Sequence, residues 1–230
     1  MGKDVIIACD FSSKAETLAF LDQFSGRKPY VKIGMELFYA EGPSIVREIK
    51  ARGHQIFLDL KLHDIPNTVK KAMAVLSRLD VDMINLHAAG TRAMMEGALE
   101  GVTRPDGSRP LAVTQLTSTS QTRMQEELLI PRTMEETVMA YAANAAQAGL
   151  DGVVCSPMEA GKVHEACGRN FVTVTPGIRF AEGDKGDQVR VTTPAQAKDL
   201  GSDYIVVGRP ITAAADPVAA YERCVREFTD

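Results

Sequence analysis

The sequence predicts an α/β fold of the (β/α)₈ barrel class, and three observations predict it. Short β-branched runs alternate with longer helical patterns eight times along the chain. The 230 residues suffice for eight such units as one domain spanning 1–230. No linker or low-complexity stretch interrupts them. A doubly wound open sheet is the alternative, because alternation alone does not prove closure.

"VIIACD" (5–10) reads as the first strand, and "SSKAETLAFLDQF" (12–24) as the helix after it. Ser12 or Ser13 serves as its N-cap, with Glu16 placed for a capping box. "YVKIG" (30–34) is the second strand, followed by a helix through "PSIVREIKAR", with Pro43 near its start and Gly53 past its end. "QIFLDLK" (55–61) precedes a helix from Pro66 to about Leu79. "DMINLH" (82–87) precedes one over 91–100, and "LAVTQL" (111–116) one over about 133–148, ended by Gly149. "GVVCS" (152–156) leads to a helix over 158–167. "FVTVTPG" (171–177) leads through a long polar loop to one over 194–200. "YIVVG" (204–208) leads to the last, about 216–228.

Composition excludes several classes. Apolar residues make up 45% and charged residues 24%, the balance of a soluble globular chain. Net charge is −4 from 26 basic and 30 acidic residues, which points to neither nucleic acid nor a membrane surface. Cys9, Cys155, Cys167 and Cys224 lie far apart without a CxxC pair, so a reducing cytoplasm is expected and a disulfide framework or zinc site is not. The opening apolar run stops at Asp10, unlike a signal peptide. Gly2 lacks the Ser or Thr that myristoylation needs, because Ile6 stands there. No stretch is long and apolar enough for a transmembrane helix.

In barrels of this class the chemistry sits at the C-terminal ends of the strands. The polar residues fall there: Asp10, Lys32, Asp59 and Lys61, His87, Thr117 and Ser118, Pro176 with Gly177 and Arg179, and Gly208 with Arg209. Taken singly, each has a plain structural reading. Asp10 suits a turn, Lys32 a surface, His87 a satisfied structural histidine, and Cys9 and Cys155 small buried hydrophobes. As a set they resist it. In "FLDLKLHDIPNT" (57–68), Asp59 and Lys61 share one strand face, and with Lys32 and Asp64 they give alternating signs converging on one barrel mouth. A structural ion network is the competing reading. After strands seven and eight, Gly208 and Arg209 suit a phosphate site, and the 179–191 loop suits a lid from which Gln188 offers an amide donor.

"DLKLHDIPNTV" resembles the D-x-K-x-x-D-I-P signature of the orotidine 5′-phosphate decarboxylase family. "VKIGMELF", "LHAAG", "QLTSTS", "TVTPGIR", "DQVRV" and "IVVGRPI" match it in order, so the resemblance, to the shorter bacterial form, covers nearly the whole chain. It implies a homodimeric barrel enzyme that makes UMP and CO₂ from orotidine 5′-phosphate without metal or organic cofactor. By resemblance, Lys61 donates a proton to C6 and Asp59 sits beside the substrate carboxylate. Lys32 and Asp64 complete the charged array, with Asp64, Ile65 and Thr68 reaching across the dimer. Asp10 and Lys32 bind the ribose hydroxyls. Thr117 and Ser118 lie by the pyrimidine, and Pro176 borders the base. Arg179, Gln188, Gly208 and Arg209 line the phosphate end. The alternatives are a Mg²⁺-dependent sugar-phosphate decarboxylase or aldolase sharing the D-x-K-x-x-D strand, and a non-catalytic nucleotide-binding barrel.

Overall fold

The computed structural model describes residues 3–103, 107–182 and 191–230. Eight parallel strands, paired in chain order, close into a barrel: β1 (Asp4–Ala8), β2 (Tyr30–Gly34), β3 (Ile56–Leu62), β4 (Met83–His87), β5 (Arg109–Val113), β6 (Gly152–Val154), β7 (Val172–Thr175) and β8 (Tyr204–Val207). β8 pairs back onto β1, so the open-sheet alternative falls away.

Among the described residues, eleven α-helices surround them: α1 (Lys14–Leu21), α2 (Met35–Glu41), α3 (Pro43–Ala51), α4 (Pro66–Leu76), α5 (Thr91–Gly101), α6 (Gln121–Glu126), α7 (Met134–Ala148), α8 (Pro157–Cys167), α9 (Pro194–Asp199), α10 (Arg209–Thr212) and α11 (Pro217–Thr229). α2, α6 and α10 lie outside the eight expected helices. α2 starts directly at the end of β2 and is cut from α3 at Gly42, whose φ of 65° breaks the helical path. α6 is fixed locally by Ser120, whose hydroxyl accepts from the Arg123 N–H. At the start of α1, Ser13 is the N-cap, while the Glu16 carboxylate reaches back to Ser12. The capping box expected there is thus spread over two serines. β5 leaves the ladder at Val113, earlier than its apolar run suggests.

Strand periodicity divides the interior in two. Val5, Ile7, Cys9, Val31, Ile33, Leu58 and Ile84 belong to the large core that the helices share. The alternate positions Ile6, Ala8, Tyr30, Phe57, Met83, Leu111, Val174 and Val206 form a separate cluster filling the barrel. Continued by two residues toward the C-terminal ends, that inward set becomes Asp10, Lys32, Asp59 and Asn85. Apolar side chains thus fill the middle of the barrel, and the inward positions just beyond them at the C-terminal strand ends are polar.

Candidate active site

A cavity of about 630 Å³ opens at that mouth, lined by strand ends from β1, β2, β3, β5, β6, β7 and β8. It brings together Asp10, Lys32, Asp59, Lys61, Thr117, Ser118, Pro176, Arg179, Gly208 and Arg209. Gln188 lies outside the described residues, as does most of the 179–191 loop. Asp64, Ile65 and Thr68 do not reach the cavity of their own chain. Residues 63–68 are all exposed, with Ile65 at 67%. Asp64 Oδ1 accepts from the Ile65 N–H at 2.6 Å. The expected four-residue charge cluster is therefore a three-residue cluster within one chain, joined by Asp10.

That cluster is a line of alternating charge. Lys32 Nζ lies 2.8 Å from Asp10 Oδ1 and 3.5 Å from Asp59 Oδ2. Lys61 Nζ lies 2.6 Å from Asp59 Oδ1. Burial alone would push the Lys32 ammonium down, but the Asp59 and Asp10 carboxylates outweigh it and hold its pKa above the ordinary 10.5. Burial alone would raise the Asp59 carboxyl. Lys32, Lys61 and hydrogen bonds from Lys61 and Asn85 reverse that, leaving it below 3.8. The group thus stays ionised in a largely dry setting.

Two residues that frame the array carry no charge, so polarity at strand ends did not reveal them. Asn85, fully buried in β4, donates from Nδ2 to Asp59 Oδ1 at 2.6 Å. Its signal is an amide at an inward position of β4, among the apolar Met83, Ile84 and Leu86. Gly34 ends β2, and a Cβ there would stand 2.9 Å from Asp10 Oδ1 and 3.0 Å from Lys32 Nζ. Only glycine leaves that ion pair undisturbed. His87 sits beside the array, its ring 5.4 Å from that of His63. Burial, then His63 and Lys61, lower its pKa.

On the β7–β8 side the mouth changes character. Arg179 donates its backbone N–H to Thr192 O and a guanidinium N–H to Ile178 O. Gly208 leads directly into α10, whose first residue is Arg209. Glycine with two guanidinium groups near the cavity suits an anion. Among the described residues no three or more His, Cys, Asp or Glu side chains are grouped to hold a metal ion.

Comparison with known proteins agrees with this geometry. Residues 3–224 match the family model described as "Orotidine 5'-phosphate decarboxylase / HUMPS family". A Geobacillus sp. (strain WCH70) protein named orotidine 5′-phosphate decarboxylase is 58% identical, the match covering 99% of this chain and 98% of the relative. The Bacillus cytotoxicus protein of the same name is 57% identical over the same shares. The crystal structure of orotidine 5′-phosphate decarboxylase from Lactobacillus acidophilus superposes with a TM-score of 0.88 at 40% identity, covering 99% of this chain and 100% of that one. An uncharacterized conserved protein from Geobacillus kaustophilus gives 0.86 at 50% identity, covering 97% and 99%. With its closed barrel, its D-x-K strand and relatives matched end to end, the chain belongs to the orotidine 5′-phosphate decarboxylase / HUMPS family.

Proposed function

We propose that this chain decarboxylates orotidine 5′-phosphate to UMP and CO₂, a step of pyrimidine biosynthesis. The observation that carries the reading is the Asp10–Lys32–Asp59–Lys61 line at one side of a cavity whose other side holds Arg179 and Arg209. A nucleotide laid across it would place its ring over the charges and its phosphate at the arginines.

Breaking the bond between C6 and the carboxylate carbon leaves an electron pair on C6. In many decarboxylases a cofactor takes up such a pair. Here we assign the task to fixed charges. The Lys61 ammonium faces the developing carbanion, stabilises it, and then transfers one proton to C6. Solvent reprotonates the amine. Asp59, held ionised by its two lysines, lies beside the substrate carboxylate, and their repulsion vanishes as neutral CO₂ departs. Asp10 and Lys32 hold the ribose hydroxyls. Thr117, Ser118 and Pro176 border the base. Arg179, Gln188, Gly208 and Arg209 take the phosphate, and binding there offsets the cost of crowding like charges at C6.

Asp64, Ile65 and Thr68 complete the site of a second protomer in a homodimer. Their exposure beside the site, on a segment with a 67%-exposed isoleucine, supports that reading. A cytoplasmic setting fits four cysteines that are all free, and among the described residues no helix is long and apolar enough to cross a membrane.

The test is to treat the protein with EDTA, add orotidine 5′-phosphate and follow the loss of its ultraviolet absorbance. Rapid loss with UMP formed supports the reading. No loss, with turnover of a sugar phosphate on adding Mg²⁺, would assign the chain to the metal-dependent branch. UMP binding without either turnover would make it a binding module.

A further inference from the structure

We infer that Asn85 is a positioning residue for the reaction, holding Lys61 in a backbone conformation the strand alone would not keep; the inference rests on the decarboxylase reading. The starting point is a mismatch between β3 and β4. Leu58 pairs with Ile84 and Leu62 pairs with Leu86. Asp59, Leu60 and Lys61 therefore stand opposite a single residue, Asn85. β3 carries two extra residues, and its ladder is broken at the functional lysine. Bulges of this kind re-aim side chains, and they leave backbone groups unpaired.

The break has a second mark. Lys61 has φ of 52°, and among the described residues only three other non-glycines, Asp80, Thr91 and Leu129, have positive φ. A lysine gains nothing locally from the left-handed region, so surrounding structure must hold it there. The Lys61 N–H, displaced from the β4 ladder, donates to Asn85 Oδ1 at 2.8 Å. The same amide donates from Nδ2 to Asp59 Oδ1 at 2.6 Å. Chemistry sets this orientation: an N–H needs the amide oxygen, and a carboxylate needs the amide nitrogen. One fully buried side chain thus replaces the missing ladder partner and fixes the carboxylate that Lys61 Nζ contacts. Asn85 does not line the cavity, so it acts through its two neighbours.

The experiment compares wild type, Asn85→Ala and Asn85→Asp for turnover of orotidine 5′-phosphate and for UMP affinity by calorimetry. Asn85→Ala is expected to lower kcat on the order of a hundredfold, the effect of misplacing a reacting group by about 1 Å. UMP affinity should stay within about threefold, because the phosphate end is untouched. Asn85→Asp keeps the acceptor for the Lys61 N–H but sets a carboxylate against Asp59. Its kcat should rise from about pH 8 down to about pH 5, as the new carboxyl takes a proton and donates it as the amide did. The wild type should show no such rise. An unchanged kcat in Asn85→Ala, or kcat and UMP affinity falling together by one factor, would overturn the inference. If Asn85→Ala does not fold, the pH profile of Asn85→Asp decides, and a flat profile counts against it. A wild type without turnover would overturn the decarboxylase reading and the role of Asn85 with it. Wild-type turnover with an indifferent Asn85 would sink this inference alone.

Discussion

The Lys32 ammonium stands 3.5 Å from the Asp59 carboxylate, and each side chain is only 11% exposed. Neither charge would survive there alone, and the pair makes stability depend on pH in a defined direction. Asp59 has a folded pKa below its unfolded 3.8. It therefore contributes stability above 3.8 that is lost as pH falls through the lower folded value. Lys32, raised above 10.5, contributes below that pH and loses its contribution as pH climbs through the folded value. Unfolding free energies of wild type and Asp59→Asn should be measured down the acid limb. The wild type should fall more steeply below 3.8, by up to about 1.4 kcal/mol per pH unit for the one proton at stake. Parallel curves would mean that Asp59 is not held ionised by its neighbours.

Gly34 offers a cleaner probe of the Asp10–Lys32 pair. Its φ of −88° is open to alanine, so backbone strain plays no part. The added Cβ meets only the tips of two flexible side chains, Asp10 and Lys32. Those tips move apart at little cost to the fold. Gly34→Ala should keep its stability within about 1 kcal/mol. KM for orotidine 5′-phosphate should rise about tenfold, the equivalent of one weakened charge-assisted hydrogen bond. An unchanged KM would show that the Asp10–Lys32 pair plays no part in binding.

His87 and His63 give a prediction about protonation. Burial, the facing His63 and the Lys61 charge all depress the His87 pKa below 6.5. His87 should titrate below that value in a proton NMR titration of the ring signals, and so be neutral in a neutral cell. His63→Ala should move the value upward, since one of the depressing neighbours is gone. Titration at or above 6.5 in the wild type would remove the physical basis for this assignment.

Much of the architecture was legible because it rests on periodicity. The eight strand–helix units follow from apolar alternation and from stops such as Gly149 at the end of α7. Clustering of Asp10, Lys32, Asp59 and Lys61 follows once their strands are set side by side. What stayed hidden depends on departures from periodicity. A strand of period two places Asp59 and Lys61 on one face, yet nothing in "FLDLKLHD" announces two extra residues or a left-handed lysine. Asn85 matters only because of that irregularity. Gly34 matters because of an ion pair between Lys32 on its own strand and Asp10 just beyond β1. Helices α2, α6 and α10 are only 7, 6 and 4 residues long, too short to show an apolar stripe, so periodicity carries little trace of them.

Asp64 supplies the last prediction. Within one chain its carboxylate turns to the Ile65 N–H and lies outside the cavity that holds Lys61. If it serves the neighbouring protomer, Lys61→Ala and Asp64→Ala should each be nearly inactive as pure proteins. Mixed after mild dissociation, they should regain activity. Random pairing makes about half of the dimers mixed, and each of these holds one site with both residues intact and one with neither. About a quarter of the wild-type activity should therefore return. Recovery rising with time of exchange would establish a shared site. No recovery, with mixed dimers demonstrated by mass spectrometry, would confine each site to its own chain and leave the exposed 63–68 segment without a catalytic part.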